Sequence, residues 1–148
     1  MPPLMAGVMS LGLMESDKYT IKIQSSNTEL EAEITVNEYD DESVELILSG
    51  NDILLQANSD NAFDALTLLR EKAARLSISL NCYGSALNVY PSGMSKSMGI
   101  GDKAYKLTLG KQSLLSDIVD IFESEDDLQI VSPLDQSEFH QKWINSLG

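Results

Sequence analysis

The sequence predicts an α+β domain, a single antiparallel sheet of five or six strands packed with one to three helices. Three observations carry that expectation. Apolar residues alternate with period two over most of 18–57, the spacing changes to threes and fours over 62–76, and 148 residues are enough to bury one substantial core. Consecutive short strands joined by turns pair most simply with their sequence neighbours, which makes the sheet a meander.

The first fourteen residues, MPPLMAGVMSLGLM, are apolar, but no Lys or Arg precedes Lys18, and Gly7, Ser10 and Gly12 break the run. That pattern argues against a secretory signal. No stretch is long enough to cross a bilayer. Residues 1–14 therefore read as an N-terminal extension and 15–148 as one domain. From Lys18, the side chains of Tyr19, Ile21 and Ile23 share a strand face, and Ser25, Ser26 and Asn27 turn the chain. Leu30, Ala32, Ile34 and Val36 then face a core, with Glu29, Glu31, Glu33 and Thr35 opposite. The acidic connection Asp40, Asp41, Glu42 leads to a third strand at Val44, Leu46 and Leu48, with Glu45 pointing away. Ser49-Gly50-Asn51-Asp52 is a hairpin turn into Ile53, Leu55 and Ala57.

Asn58, Ser59 and Asp60 can each cap a helix, which the spacing predicts over 59–75. Ala62, Leu66, Leu69, Ala73 and Leu76 form its apolar face, and Asp64, Arg70, Glu71 and Lys72 lie off it. Leu76, Ile78, Leu80 and Cys82 resume alternation up to Gly84, and Ala104 to Leu109 is a further strand stopped by Gly110. Leu114, Leu115, Ile118, Ile121 and Phe122 fit a helical stripe after Ser113, with an edge strand as the alternative because IVDIF is rich in β-branched residues. Leu128, Ile130 and Val131 allow one short strand before Pro133. A final helix from Ser137 places Phe139, Trp143 and Leu147 on one stripe.

Charge narrows the function classes. Twenty-three acidic against ten basic residues give a net charge of −13. Such a surface repels nucleic acid and anionic membrane and steers a basic protein partner toward itself. The carboxylates singled out as partner-binding are the strand row Glu29, Glu31 and Glu33, the turn acids Asp40 and Asp41, and Glu123 and Asp126 in the acidic run 123–127. A second surface is the long connection 84–103, rich in Gly and Ser, whose contact residues would be Tyr90, Met94, Lys96 and Met98. It holds no phosphate-binding signature, because no G-x-x-x-x-G-K-[ST] is present and Gly99-Ile100-Gly101 is too short for a dinucleotide turn.

No catalytic set emerges. The sole histidine, His140, has Asp135 and Glu138 near it in sequence, and a lone helical histidine is more often a surface or cap residue. Cys82 alternates with Ile78 and Leu80, as an inert core cysteine does, and with no second cysteine it fits a reducing, cytoplasmic compartment. One Cys and one His leave only carboxylates for a metal, and 123–127 has no calcium-loop pattern. Neither a cofactor nor a metal is expected.

At NVYPSGMSKSMGIGDKAYKLTLG and the following DIVDIFES, the chain resembles a group of small, mostly uncharacterised bacterial proteins with a VYPSGM…MG.G.KAY signature. The resemblance covers roughly 53–122 and implies an association with immunity proteins encoded beside contact-dependent or secreted toxins. It transfers no catalytic residue. Together these readings rank an acidic protein-binding module first, in the concrete form of an immunity or inhibitor protein neutralising a bacterial toxin. The competing classes are a small enzyme or ligand-binding domain built on 84–103, and a DNA mimic.

Overall fold

The computed structural model describes residues 12–148. Four strands follow one another: β1 (Leu13–Ser25), β2 (Thr28–Tyr39), β3 (Val44–Gly50) and β4 (Ile53–Ser59). With β5 (Ile78–Asn81) they form a five-stranded antiparallel sheet in the order β4-β3-β2-β1-β5. Register explains the single core face: Ile21 is opposite Ala32, Ile34 opposite Leu48, and Leu46 opposite Ala57. All six are buried. The α+β class and the five-stranded antiparallel sheet are thus as expected. β1 begins at Leu13, so the last two residues of the expected 1–14 extension belong to the sheet. The rest of that extension, 1–11, lies outside the described residues.

Helix α1 (Ala62–Ala74) lies across the apolar face of β4, β3 and β5. Its cap is Asn61, one residue beyond the three expected, whose side chain accepts from Asp64 N at 2.9 Å. Ala62, Leu66, Leu69 and Ala73 are buried as the spacing requires. Two expectations are corrected. Leu76 is exposed because the helix ends at Arg75 and Ser77 takes φ 60°, turning the chain before β5. Arg70, expected on the solvent side, is buried.

In place of the single sheet expected, the second half of the chain builds a second, smaller one from β6 (Val89–Tyr90), β7 (Lys103–Lys106) and β8 (Ile118–Asp120), in the order β6-β7-β8, with β7 a shortened form of the strand expected over Ala104–Leu109. The connection 84–103 is folded: it contains a 3-10 turn at Tyr83–Ser85, strand β6 and the short helix α2 (Gly93–Ser97). Gly84 fixes where it enters, since a Cβ there would collide with Leu66 and sit 3.1 Å from Ile121 Cβ. The helix expected over 114–122 is absent; a 3-10 turn (Leu115–Asp117) leads straight into β8, the edge-strand alternative. The β-branched Ile118 and Val119 pair with Tyr105 and Ala104, while Ile121 and Phe122 turn into the core. Ile130 makes only an isolated bridge to Ala86 instead of a strand.

Helix α3 (Pro133–Ser146) starts four residues before the expected Ser137, with Ser132 capping Asp135 N at 3.1 Å and proline in the first turn. Its fully buried side chain is Gln136, with Phe139 and Trp143 half-buried and Leu147 exposed. Arg70 Nη1 donates to Gln136 Oε1 at 2.7 Å and to Gly84 O at 3.0 Å, and Nη2 to Val131 O at 2.6 Å. Gln136 Nε2 in turn donates to the carbonyls of Gly84, Ala86 and Val89 at 2.9–3.0 Å. This network joins α1, 84–89, 131 and α3. Burial pushes the guanidinium down to about 10, so it stays charged at neutral pH, held by carbonyl oxygens and, among the described residues, with no carboxylate in an ion pair.

Candidate functional site

Between the outer edge of β1 and the segment 122–128 lies an open groove of about 790 Å³. Its position follows from β1 being much longer than β5. β5 pairs only with Lys22–Ser25, and just beyond that pairing Tyr19, Thr20 and Ile21 form one wall. Phe122 anchors the opposite wall: its ring packs on Tyr19 with centroids 5.0 Å apart, and its N–H donates to Asp120 Oδ1 at 2.9 Å.

Polar contacts at this junction are specific. Tyr19 OH donates to Asp120 Oδ2 at 3.2 Å; burial, and then the Asp120 charge, push the phenol well above its usual range. Lys103 lies 3.4 Å from Asp120 and 3.7 Å from Asp102. Burial works against its charge, and the two aspartates outweigh that and raise its pKa.

Five carboxylates line the groove: Glu29 from β2, and Glu123, Glu125, Asp126 and Asp127 from the far wall. Two are neutralised locally. Glu125 accepts from Lys106 Nζ and Tyr83 OH, each at 2.6 Å, and these bonds, Lys106 first, hold it below the usual carboxylate range. Glu29 has Lys22 at 4.0 Å. Among the described residues, no lysine, arginine or histidine makes an ion pair with Glu123, Asp126 or Asp127. The groove therefore carries unneutralised negative charge beside the half-buried ring of Tyr19, backed by buried Phe122, and can attract and hold cationic side chains.

Three of the carboxylates singled out from the sequence, Glu29, Glu123 and Asp126, are brought together here. Glu31 and Glu33 lie on the outer face of β2, where Glu31 is opposite Lys22 in register and Lys18 reaches Glu33 at 3.6 Å. Asp40 and Asp41 sit at the far end of β2 from Glu29, and Asp41 Oδ1 accepts from Ser43 Oγ and N at 2.6 and 2.9 Å, which lowers its pKa. Glu125 and Asp127 lie in the acidic run 123–127 but nothing in their sequence context sets them apart from it. The sequence marks Tyr19 and Phe122 only as apolar face residues and does not mark Lys22, because their place in the groove depends on where 122–128 docks.

The residues expected to make 84–103 a binding loop divide. Tyr90 is half-buried, its ring 5.3 Å from Phe63 and stacked 4.1 Å from His140. Lys96 pairs with Asp64 at 3.0 Å and lies 5.7 Å from the Phe63 ring centre. Both serve to hold the loop down. Met94 and Met98 are 72% and 62% exposed.

Cys82 is fully buried, its Sγ 3.7 Å from Ser85 Oγ, and burial raises its pKa away from the reactive thiolate. His140 is engaged instead with Tyr90, and burial followed by the Lys96 charge lowers its pKa. Among the described residues, no group of three or more His, Cys, Asp or Glu side chains is arranged to hold a metal ion, and no helix is long and apolar enough to cross a membrane. Comparisons with models of protein families and with curated proteins find no match to this chain.

Proposed function

We propose that this protein is an acidic binding module that captures a basic protein partner in the groove between β1 and 122–128, and that its biological form is an immunity protein neutralising a bacterial toxin. The observation that carries the reading is the convergence of Glu29, Glu123 and Asp126, joined by Asp127, on one groove of about 790 Å³. Carboxylates more than ninety positions apart in the chain line it together, Glu29 from β2 and the others from the exposed segment 123–127. A net charge of −13 adds a long-range field that speeds encounter with a cationic surface. Resemblance at VYPSGM…MG.G.KAY points the same way.

The test is coexpression with the toxin encoded by a neighbouring gene. Cells should survive with the wild-type chain and die with Glu123→Lys combined with Asp126→Lys, while the purified variant keeps its melting temperature. Binding kinetics with that toxin should show association slowed by salt more than dissociation is accelerated. Full protection by the charge-reversed variant, or a gene neighbourhood with no toxin, overturns the reading.

A further inference from the structure

One wall of the groove, Tyr19–Ile21, is the inner end of an unpaired stretch of the β1 edge. β1 is thirteen residues long, yet β5 pairs only with Lys22–Ser25. Among the described residues, no strand or backbone bond occupies that edge over Leu13–Ile21. Alternate residues of an antiparallel strand aim their N–H and C=O groups to opposite sides, so about four residues here present unpaired backbone groups outward. The chain itself vacates the position. After Asn81, which lines the head of the groove, Cys82 leaves the ladder and Tyr83 N–H bonds to Glu123 O at 2.8 Å on the opposite wall.

Resting on the acidic-groove reading above, we propose that the β1 edge accepts an extended basic segment of the partner as an added strand, in the line that β5 would follow past Asn81. Backbone bonds to β1 supply register. Where the added strand passes Tyr19–Ile21, side chains on its alternate positions point toward Glu123, Asp126 and Asp127, which have no cation of their own among the described residues. That charge selects lysine or arginine at those positions. A second copy of this chain is the competing occupant, and it is opposed by a charge of −13 on each molecule.

The test uses the full chain and a fluorescein-labelled decapeptide of alternating lysine and valine, followed by fluorescence anisotropy and by amide exchange. Binding should be saturable, should slow exchange of amides within Leu13–Ile21, and should fall about tenfold or more when single peptide nitrogens are methylated, at alternate positions only. Glu123→Lys with Asp126→Lys should weaken it by a similar factor. A flat methylation scan with a strong effect of charge reversal overturns strand addition and leaves the acidic groove intact. A periodic scan with no effect of charge reversal supports the edge and removes the acidic-groove reading. Absence of saturable binding overturns both, and protection of the edge in a dimer without peptide assigns it to a second copy.

Discussion

Residues 13–82 and residues 83–131 are held in place by different physics. In the first region the ladders β1 to β5 put apolar side chains on one face, so that stability is spread over many similar contacts such as Ile34 against Leu48 and Leu46 against Ala57. In the second, β6 and β8 are two and three residues long; Val89, Ala104, Ile121 and Phe122 join the same core, and the segments between them are placed by a few bonds between distant residues. Tyr83 N to Glu123 O, Gly84 N to Ile121 O, Leu87 N to Gln129 O and Val131 N to Ser85 O are of this kind. Arg70 and Gln136 stand at their centre. The groove's acidic wall belongs to the second region and its strand wall to the first, so the site depends on the less redundant half staying docked.

The sharpest way to break this comparison is to cut one contact in each region. Arg70→Ala leaves Gln136 Oε1 and Val131 O without their donor and opens a hole under α3, so a loss of about 3–5 kcal/mol is expected. Leu48→Ala removes a fully buried side chain at a similar cost of about 2–5 kcal/mol. The distribution of the loss distinguishes them. Amide exchange in Arg70→Ala should quicken first over 83–131 and α3, with 13–82 still protected, whereas Leu48→Ala should lower protection throughout. Uniform loss in both would mean that the two regions form one cooperative unit.

The same difference decides what could be read from the sequence. Over 18–57 each residue's face is set by its immediate neighbours, and period two at Leu30, Ala32, Ile34 and Val36 is sufficient to orient the strand. The sequence groups Arg70 with Glu71 and Lys72, because a charged residue beside an apolar stripe ordinarily faces water. Only Gln136 and the carbonyls of Gly84 and Val131, remote in sequence, make its burial possible. The segment 114–122 misled for a related reason: Leu114, Leu115 and Ile118 mimic a helical stripe, yet they are 64%, 83% and 39% exposed, and pairing with β7 selects the strand. The groove was legible as carboxylates and illegible as a place. Nothing local says that Glu29 and Glu123 meet, or that Asp40 and Asp41 stand at the other end of β2.

A smaller effect probes the outer face of the first region. Glu45 accepts from Tyr39 OH at 2.8 Å, Asn37 Nδ2 at 3.1 Å and Gln56 Nε2 at 3.0 Å. Burial pushes its carboxyl up, but the three donors together outweigh burial and leave the pKa below the usual value. A depressed folded-state pKa means that the stabilisation is fully present above the unfolded-state value and is lost as pH falls through the folded-state value. Glu45→Gln should therefore be less stable than wild type near neutral pH, and the gap should close on acidification. Thermal melts from neutral to acidic pH measure this. A gap that is constant with pH would remove the carboxylate's ionisation from the account.

The smallest effect is expected at α2, where the second region presents its methionines to solvent. Met94 and Met98 are 72% and 62% exposed, and Gly93 and Gly99 have nothing within 4 Å of an added Cβ, so the tip of the loop packs against little. Its anchors lie elsewhere, in Tyr90 between Phe63 and His140 and in Lys96 on Asp64. Alanine at Met94 or Met98 should therefore move stability by less than about 0.5 kcal/mol. Should α2 extend the partner interface beyond the groove, the same substitutions would weaken binding by about 1–2 kcal/mol without altering the melt, because exposed methionine becomes costly to truncate only once a partner covers it. A lowered melting temperature with unchanged affinity would show instead that these side chains support the docking of 83–131, and would extend the sparse network around Arg70 out to the loop's tip.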